Sequence, residues 1–195
     1  MTLPARLILA STSPYRRALL GRLGVEFSVD NPEVDERHAP GESPSDRASR
    51  LAAAKAQAVA ARHRDAVVIG SDQVASAAGA ILDKPGAAPA AREQLTRLSG
   101  TTALFHTACT VLRSVPAFSA SHLDTTRAVF RPLSAAEIDR YIARERAFDC
   151  AGSFKSESLG ASLLDRIEST DPTALIGLPL LWLCSALRAL GYEVP

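Results

Sequence analysis

Cysteine is scarce and badly placed for cross-linking. Cys109, Cys150 and Cys184 are odd in number, far apart and without a Cys-x-x-Cys, so the sequence indicates neither a disulfide framework nor a structural zinc site, and a reducing compartment is expected. An excess of one charge is lacking too. The 22 basic residues against 21 acidic ones leave a net charge of +1, which gives no electrostatic footprint for gripping nucleic acid and leaves room only for a local basic pocket. Long apolar runs are missing. LILA is four residues and is followed by polar ones, short of a signal-peptide core. The run Ala174 to Leu187 contains Pro179 and falls below the about 20 residues of a membrane span. It reads as the core helix of a cytoplasmic protein with no membrane partner. A Walker A lysine and a G-x-G-x-x-G are absent, which disfavours P-loop NTPases and Rossmann oxidoreductases. His38, His63, His106 and His122 show no metal-ligand spacing and read as structural or exposed. Cys150 carries no local protease signature, and no repeat or long linker divides the 195 residues, which fit one domain, or two lobes around one cleft.

What is present is organised around Leu7 to Leu23, LILASTSPYRRALLGRL. A short apolar run reads as a buried strand that turns directly into a helix. Ser13 suits the N-cap and Pro14 the first turn, and the helix N-terminus with the hydroxyls of Ser11, Thr12 and Ser13 makes an anion site. At helical spacing Arg16 lies over Leu19, Leu20 and Leu23, along the core-facing stripe. A guanidinium placed there meets either a phosphate or a carboxylate from elsewhere in the chain.

Further along, Val25 to Asp30 reads as a strand and Asn31 to Ser45 as a loop. The loop carries Glu33, Asp35 and Glu36, an acidic knot that faces solvent or a divalent cation. Pro44 to His63 is an alanine-rich helix with Leu51, Lys55 and Val59 at i, i+4 and i+8. Lys55 in that stripe either snorkels to water or holds a ligand. The strand AVVIGSDQV, Ala66 to Val74, is expected to end at its polar cluster. Asp72 then either works beyond a strand's carboxyl end, accepting a proton from water or positioning a metal, or caps a turn. Asp83-Lys84-Pro85 follows a small turn. Pro89 to Leu98 reads as a helix, Thr101 to Arg113 and Leu123 to Arg131 as strands joined by the loop Ser114 to His122, and Ser134 with Glu137 as a capping box opening a helix to Glu145. Ala151 to Glu157 is expected as a loop lining a site, Gly160 to Glu168 as a strand, and Asp171-Pro172 as the start of the last helix.

In this order, LASTSPYRRALL, PEVDE, RLAAAKA, VIGSDQV, DKP, FHTA, CAGSFKSE and TDPTALIGLPL resemble the Maf family of nucleotide pyrophosphatases over nearly the whole chain, residues 1–195 as a single Maf-like domain. The resemblance implies an α/β fold similar to inosine triphosphate pyrophosphatases: an elongated mixed β-sheet flanked by helices, two lobes around a deep cleft, in a homodimer. It implies hydrolysis of a nucleoside triphosphate between its α and β phosphates, with Mg²⁺ or Mn²⁺ as cofactor. Asp72 falls on the catalytic proton acceptor. Ser11, Ser13, Arg16, Lys55 and Lys84 fall on triphosphate-binding positions, and Glu36 on an acidic, metal-side position of the same cleft. Such a set suits the chemistry, because attack on an anionic phosphorus needs cations to neutralise charge and a carboxylate to orient and deprotonate water.

Within the family, Tyr15, Gln73 and Glu157 side with the branch acting on 7-methyl-GTP rather than the one acting on dTTP and UTP. A cationic 7-methylguanine favours an aromatic face and a carboxylate. Tyr15 stands where that branch usually has Trp, and Ala108 where a glycine usually follows His-Thr. The expected role is clearance of 7-methyl-GTP from the nucleotide pool. The alternatives are a pyrophosphatase of dTTP, UTP or other canonical nucleotides, and a nucleotide sensor linked to septum formation.

Overall fold

A computed structural model describes residues 5–195. The chain forms two compact units: residues up to Gln73 with Thr107–Asp124 and Asp171–Pro195, and Val74–His106 with Thr125–Thr170.

The first unit begins with β1 (Leu7–Ala10), α1 (Pro14–Gly21), β2 (Ser28–Asp30), α2 (Pro44–Arg62) and the opening of β3 (Val67–Ala77). β1 pairs in parallel with β2 and with β3, Ala10 facing Gly70. Four consecutive buried residues in β1 reflect cover on both faces, and the period of two sorts their side chains. Leu7, Leu9, Val67 and Ile69 pack with Leu19 and Leu20 of α1 and with Leu183 and Leu187 near the C-terminus. Ile8, Ala10 and Val68 pack with Ala56, Val59 and Ala60 of α2. Gly70 makes that second contact unusually close, since a Cβ there would lie 2.3 Å from the Ala52 carbonyl oxygen and 2.6 Å from Ala56 N. The alanine-rich face of α2 is what lets it approach.

The second unit adds β4 (Ala80–Leu82), antiparallel on β3, then α3 (Ala88–Leu98), α4 (Ala135–Glu145) and β7 (Leu164–Glu168). The capping box opening α4 is complete, with Ser134 and Glu137 each bonding the other's backbone N–H. Phe154 packs on Phe105 and Phe130 at ring-centroid distances of 5.9 and 5.5 Å. β5 (Thr102–Arg113) and β6 (Phe118–Phe130) supply residues to both units, and the strands form one mixed sheet ordered β2-β1-β3-β5-β6-β7, with β4 on β3.

Several local expectations change, and β2 is one, covering Ser28–Asp30 rather than Val25 to Asp30. β3 does not stop at Asp72: β1 ends at Ala10, but Ala75 to Ala77 continue with β4 as a new partner, so Asp72 stands in the part of β3 that outruns β1. β6 starts at Phe118 rather than Leu123, its early residues having too little apolar alternation to show. Leu159–Leu163 is a 3-10 turn, so β7 starts at Leu164 rather than Gly160. The last helix, α5 (Leu180–Ala189), begins well after Asp171-Pro172. Gly177, at φ +124°, breaks a short 3-10 turn, Ala174–Ile176, and α5 starts only after Pro179. Asp171 still serves that helix, accepting the Leu181 N–H at 2.7 Å while its other oxygen takes the Thr173 N–H at 2.9 Å.

Candidate functional site

Where β1 gives way to α1 the chain makes the expected polar turn. Ser13 is the N-cap, its Oγ accepting the Arg16 N–H at 3.4 Å, and Ser11 Oγ accepts the Ser13 N–H at 3.1 Å. Both hydroxyls thus receive from backbone, and neither donates to another described residue. Tyr15 and Arg16 are half-buried. Arg16 is held by a carbonyl: its Nε donates to Gly177 O at 2.9 Å. No carboxylate among the described residues pairs with it, and its two terminal amino groups make no bond there.

On the face of β3 turned to α2, the ammonium of Lys55 donates to Asp72 Oδ1 at 2.6 Å and lies 2.6 Å from Glu36 Oε1. Lys55 is 6% exposed and Asp72 7%. The stripe position of Lys55 thus leads inward, not to water. Taking both charges from solvent is costly and is repaid only by a well-formed pair; removing one partner of such a pair costs about 3–5 kcal/mol. Glu36 differs in being 57% exposed. The acidic knot is split: Asp35 bonds Arg37, which lowers its carboxyl to about 2, while Glu36 reaches the buried lysine. Arginines of α2 carry the loop to that position. Arg47 donates to Glu36 O at 3.1 Å, Arg50 to Arg37 O at 3.2 Å and to both Glu42 oxygens at 2.6 and 2.8 Å. The Arg50 guanidinium holds the Glu42 carboxyl down at about 2.

The opposite face of β3 carries Ser71 and Gln73. Ser71 Oγ, fully buried, shares its hydrogen between Ala108 O at 2.8 Å and Gly177 O at 2.9 Å. Gln73 Nε2 donates to Thr107 Oγ1, Leu175 O and Ala174 O at 2.9, 2.9 and 3.1 Å. Thr107 Oγ1 in turn donates to Ala174 O at 2.9 Å. Nearby Cys109 is a buried thiol pushed up to about 12 by desolvation, with the Arg16 charge acting weakly the other way.

The structure therefore brings together Lys55, Asp72 and Glu36, and separately Ser11, Ser13 and Arg16 on one turn. The two groups are connected through neighbouring strands, because Ser11 and Ser71 each follow the paired residues Ala10 and Gly70. Lys84 and Glu157 belong to the second unit. Lys84 is exposed in the loop after β4, and Glu157, also exposed, accepts from Ser156 Oγ at 3.3 Å. Sequence reasoning missed Arg47, Arg50, Ser71, Thr107 and Gly177. The arginines, three apart on the polar side of α2, were open to detection as partners for the acidic loop; the other three act through contacts remote in sequence.

No cluster of three or more His, Cys, Asp or Glu suited to a metal ion occurs among the described residues. The two carboxylates that come together, Asp72 and Glu36, are both engaged by the Lys55 ammonium, so a divalent cation here would have to be held largely by substrate phosphate and water. No helix of the described residues is long and apolar enough to cross a membrane.

The model of a family described as "Maf-like protein" matches residues 6–190. A 7-methyl-GTP pyrophosphatase of Xanthomonas axonopodis pv. citri is 56% identical over 190 residues, covering 97% of this chain and 99% of that protein. Proteins of the same name from Aromatoleum aromaticum and Bordetella pertussis are 52% and 51% identical over 191 residues each, 98% of this chain and 98% and 95% of theirs. Among solved structures, the Staphylococcus aureus Ham1 protein aligns at a TM-score of 0.46 and 15% identity over 64% of this chain and 71% of that one, a likeness too remote to bear on function.

Proposed function

Because this chain belongs to the Maf family, we propose that it is a nucleoside triphosphate pyrophosphatase that hydrolyses 7-methyl-GTP to 7-methyl-GMP and pyrophosphate, a housecleaning reaction on the nucleotide pool. The observation that carries the reading is the buried Lys55 ammonium, bonded at once to Asp72 and Glu36 in a chain 51–56% identical to proteins of that name.

In this reading the Ser11 and Ser13 hydroxyls and the terminal amino groups of Arg16 donate to phosphate oxygens. Lys55 exchanges part of its carboxylate contact for a phosphate oxygen as substrate enters, which leaves an Asp72 oxygen to accept a proton from water. The water oxygen bonds to the α-phosphorus, the α–β bridging bond breaks toward pyrophosphate, and the proton rests on Asp72 until solvent takes it. Each preorganised donor or base of this type is worth about 10²-fold or more in rate. By the family resemblance Glu36 would hold a divalent cation, which would supply neutralisation of charge on the phosphates. Tyr15, on the same turn as Ser13 and Arg16, is the candidate for recognising the cationic base. The same reading takes the protein as cytoplasmic and as a homodimer; light scattering on the purified protein checks the dimer.

Pyrophosphate release from a panel of triphosphates tests the substrate. Turnover of 7-methyl-GTP above GTP, dTTP and UTP supports the proposal. Faster turnover of UTP assigns the protein to canonical nucleotides, and binding without any pyrophosphate release makes it a sensor.

A further inference from the structure

Gln73 is adjacent to Asp72, and the family resemblance assigns it to the choice of base, yet its amide nitrogen is committed to the protein. Its two N–H hydrogens face Thr107 Oγ1, Ala174 O and Leu175 O, all within 3.1 Å. With Thr107 also donating to Ala174 O, the three groups close a ring in which the Gln73 bond polarises the Thr107 hydroxyl and both side chains donate to the one carbonyl. That ring fastens the 3-10 turn Ala174–Ile176 to the sheet. Two residues past Leu175, Gly177 O accepts from Ser71 Oγ at 2.9 Å and from Arg16 Nε at 2.9 Å. The room for Arg16 is limited too: a Cβ on Gly177 would stand 3.4 Å from its Nε, and the φ of +124° already favours glycine. Asp171 and Thr173 brace the far side, Thr173 Oγ1 bonding Leu178 O and the Leu180 N–H at 2.9 Å.

We infer that Gln73 and Ser71 are positioning residues that act through the Gly177 carbonyl to set the orientation of the Arg16 guanidinium, and so select the geometry of the bound phosphate rather than the base. The inference rests on the pyrophosphatase reading for its substrate. A guanidinium gripped at Nε keeps its two terminal amino groups as a pre-aimed fork, which is how arginine binds phosphate bidentately. Loosening the grip leaves the charge in place and removes the aim.

A double-mutant cycle tests it, with Gln73→Met, Arg16→Ala and the pair measured for kcat and KM with 7-methyl-GTP and for the Kd of inorganic tripolyphosphate, which has no base. Gln73→Met is expected to raise KM and the tripolyphosphate Kd about tenfold with a smaller change in kcat, and to change little in an Arg16→Ala background. Ser71→Ala repeats the pattern with a smaller effect and carries the cycle should Gln73→Met fail to fold. An unchanged tripolyphosphate Kd with an altered preference between 7-methyl-GTP and UTP would make Gln73 a base contact and overturn the inference. Equal losses with and without Arg16 would overturn it as well, by showing general loosening. A wild-type protein that releases no pyrophosphate defeats the functional reading, while the tripolyphosphate titrations still decide the positioning.

Discussion

The two faces of β3 around Asp72 solve different problems with different bonds. Toward α2 the strand presents a carboxylate to a buried ammonium, and the third member of the group, Glu36, comes from a partly exposed loop. Away from α2 it presents Ser71 and Gln73, uncharged side chains that bond backbone carbonyls and one hydroxyl. The charged face has spare valence, since a phosphate or a water can compete for Lys55 and Asp72. The neutral face has little, because its donors are already shared among more acceptors than they have hydrogens. On the proposed reading, chemistry falls to the first face and alignment to the second.

Breaking the charged face should do the greatest damage. Lys55→Met leaves Asp72 buried without its cation, so we expect urea unfolding to show a loss of about 3 kcal/mol and pyrophosphate release to fall about 10²-fold or more. Unchanged stability would mean that the pair is dispensable to the fold. Gly70→Ala strikes the same face without touching a charge: a Cβ 2.3 Å from Ala52 O must push α2 and Lys55 away from the strand. Overpacking against backbone costs about 2–3 kcal/mol, which thermal denaturation would report. On the neutral face, Gly177→Ala meets a positive φ and a contact of 3.4 Å with Arg16 Nε. About 1–2 kcal/mol of strain is expected, with KM for the triphosphate rising several-fold and kcat nearly kept.

The smallest effect lies in the loop that delivers Glu36. Arg50 holds the Glu42 carboxyl at about 2, against an ordinary value of 4.5. A carboxyl lowered on folding stabilises the native state above its unfolded pKa, and the contribution disappears as pH falls from about 4.5 toward 2. Glu42→Gln should therefore lower Tm slightly at neutral pH and give a shallower decline of Tm over that acid interval. Parallel Tm profiles for the two proteins would show that the Arg50 pair contributes nothing to stability.

How much of this is legible in the sequence depends on the range of the interactions. The Ser13 cap, the Ser134–Glu137 box and the apolar stripe that buries Lys55 are set by residues three or four apart, and helical spacing displays them. The continuation of β3 past Asp72 is hidden because its partner β4 is three residues long. The start of α5 is easily misplaced because Asp171 caps it from ten residues upstream of Leu181. The Gly177 carbonyl cannot be found at all, since its donors lie 106 and 161 residues away and nothing local marks a carbonyl that accepts from two side chains. The individual roles of Lys84 and Glu157 come from family resemblance rather than from spacing.

Asp72 is the residue on which the proposed chemistry stands or falls, and the most direct measurement is a pair of numbers from the Asp72→Asn protein: its Kd for 7-methyl-GTP and its single-turnover rate of pyrophosphate release. A Kd within a few-fold of wild type together with a rate lower by about 10²-fold or more is the predicted result. A rate close to wild type, or a loss of binding that accounts for the whole loss of activity, would contradict it.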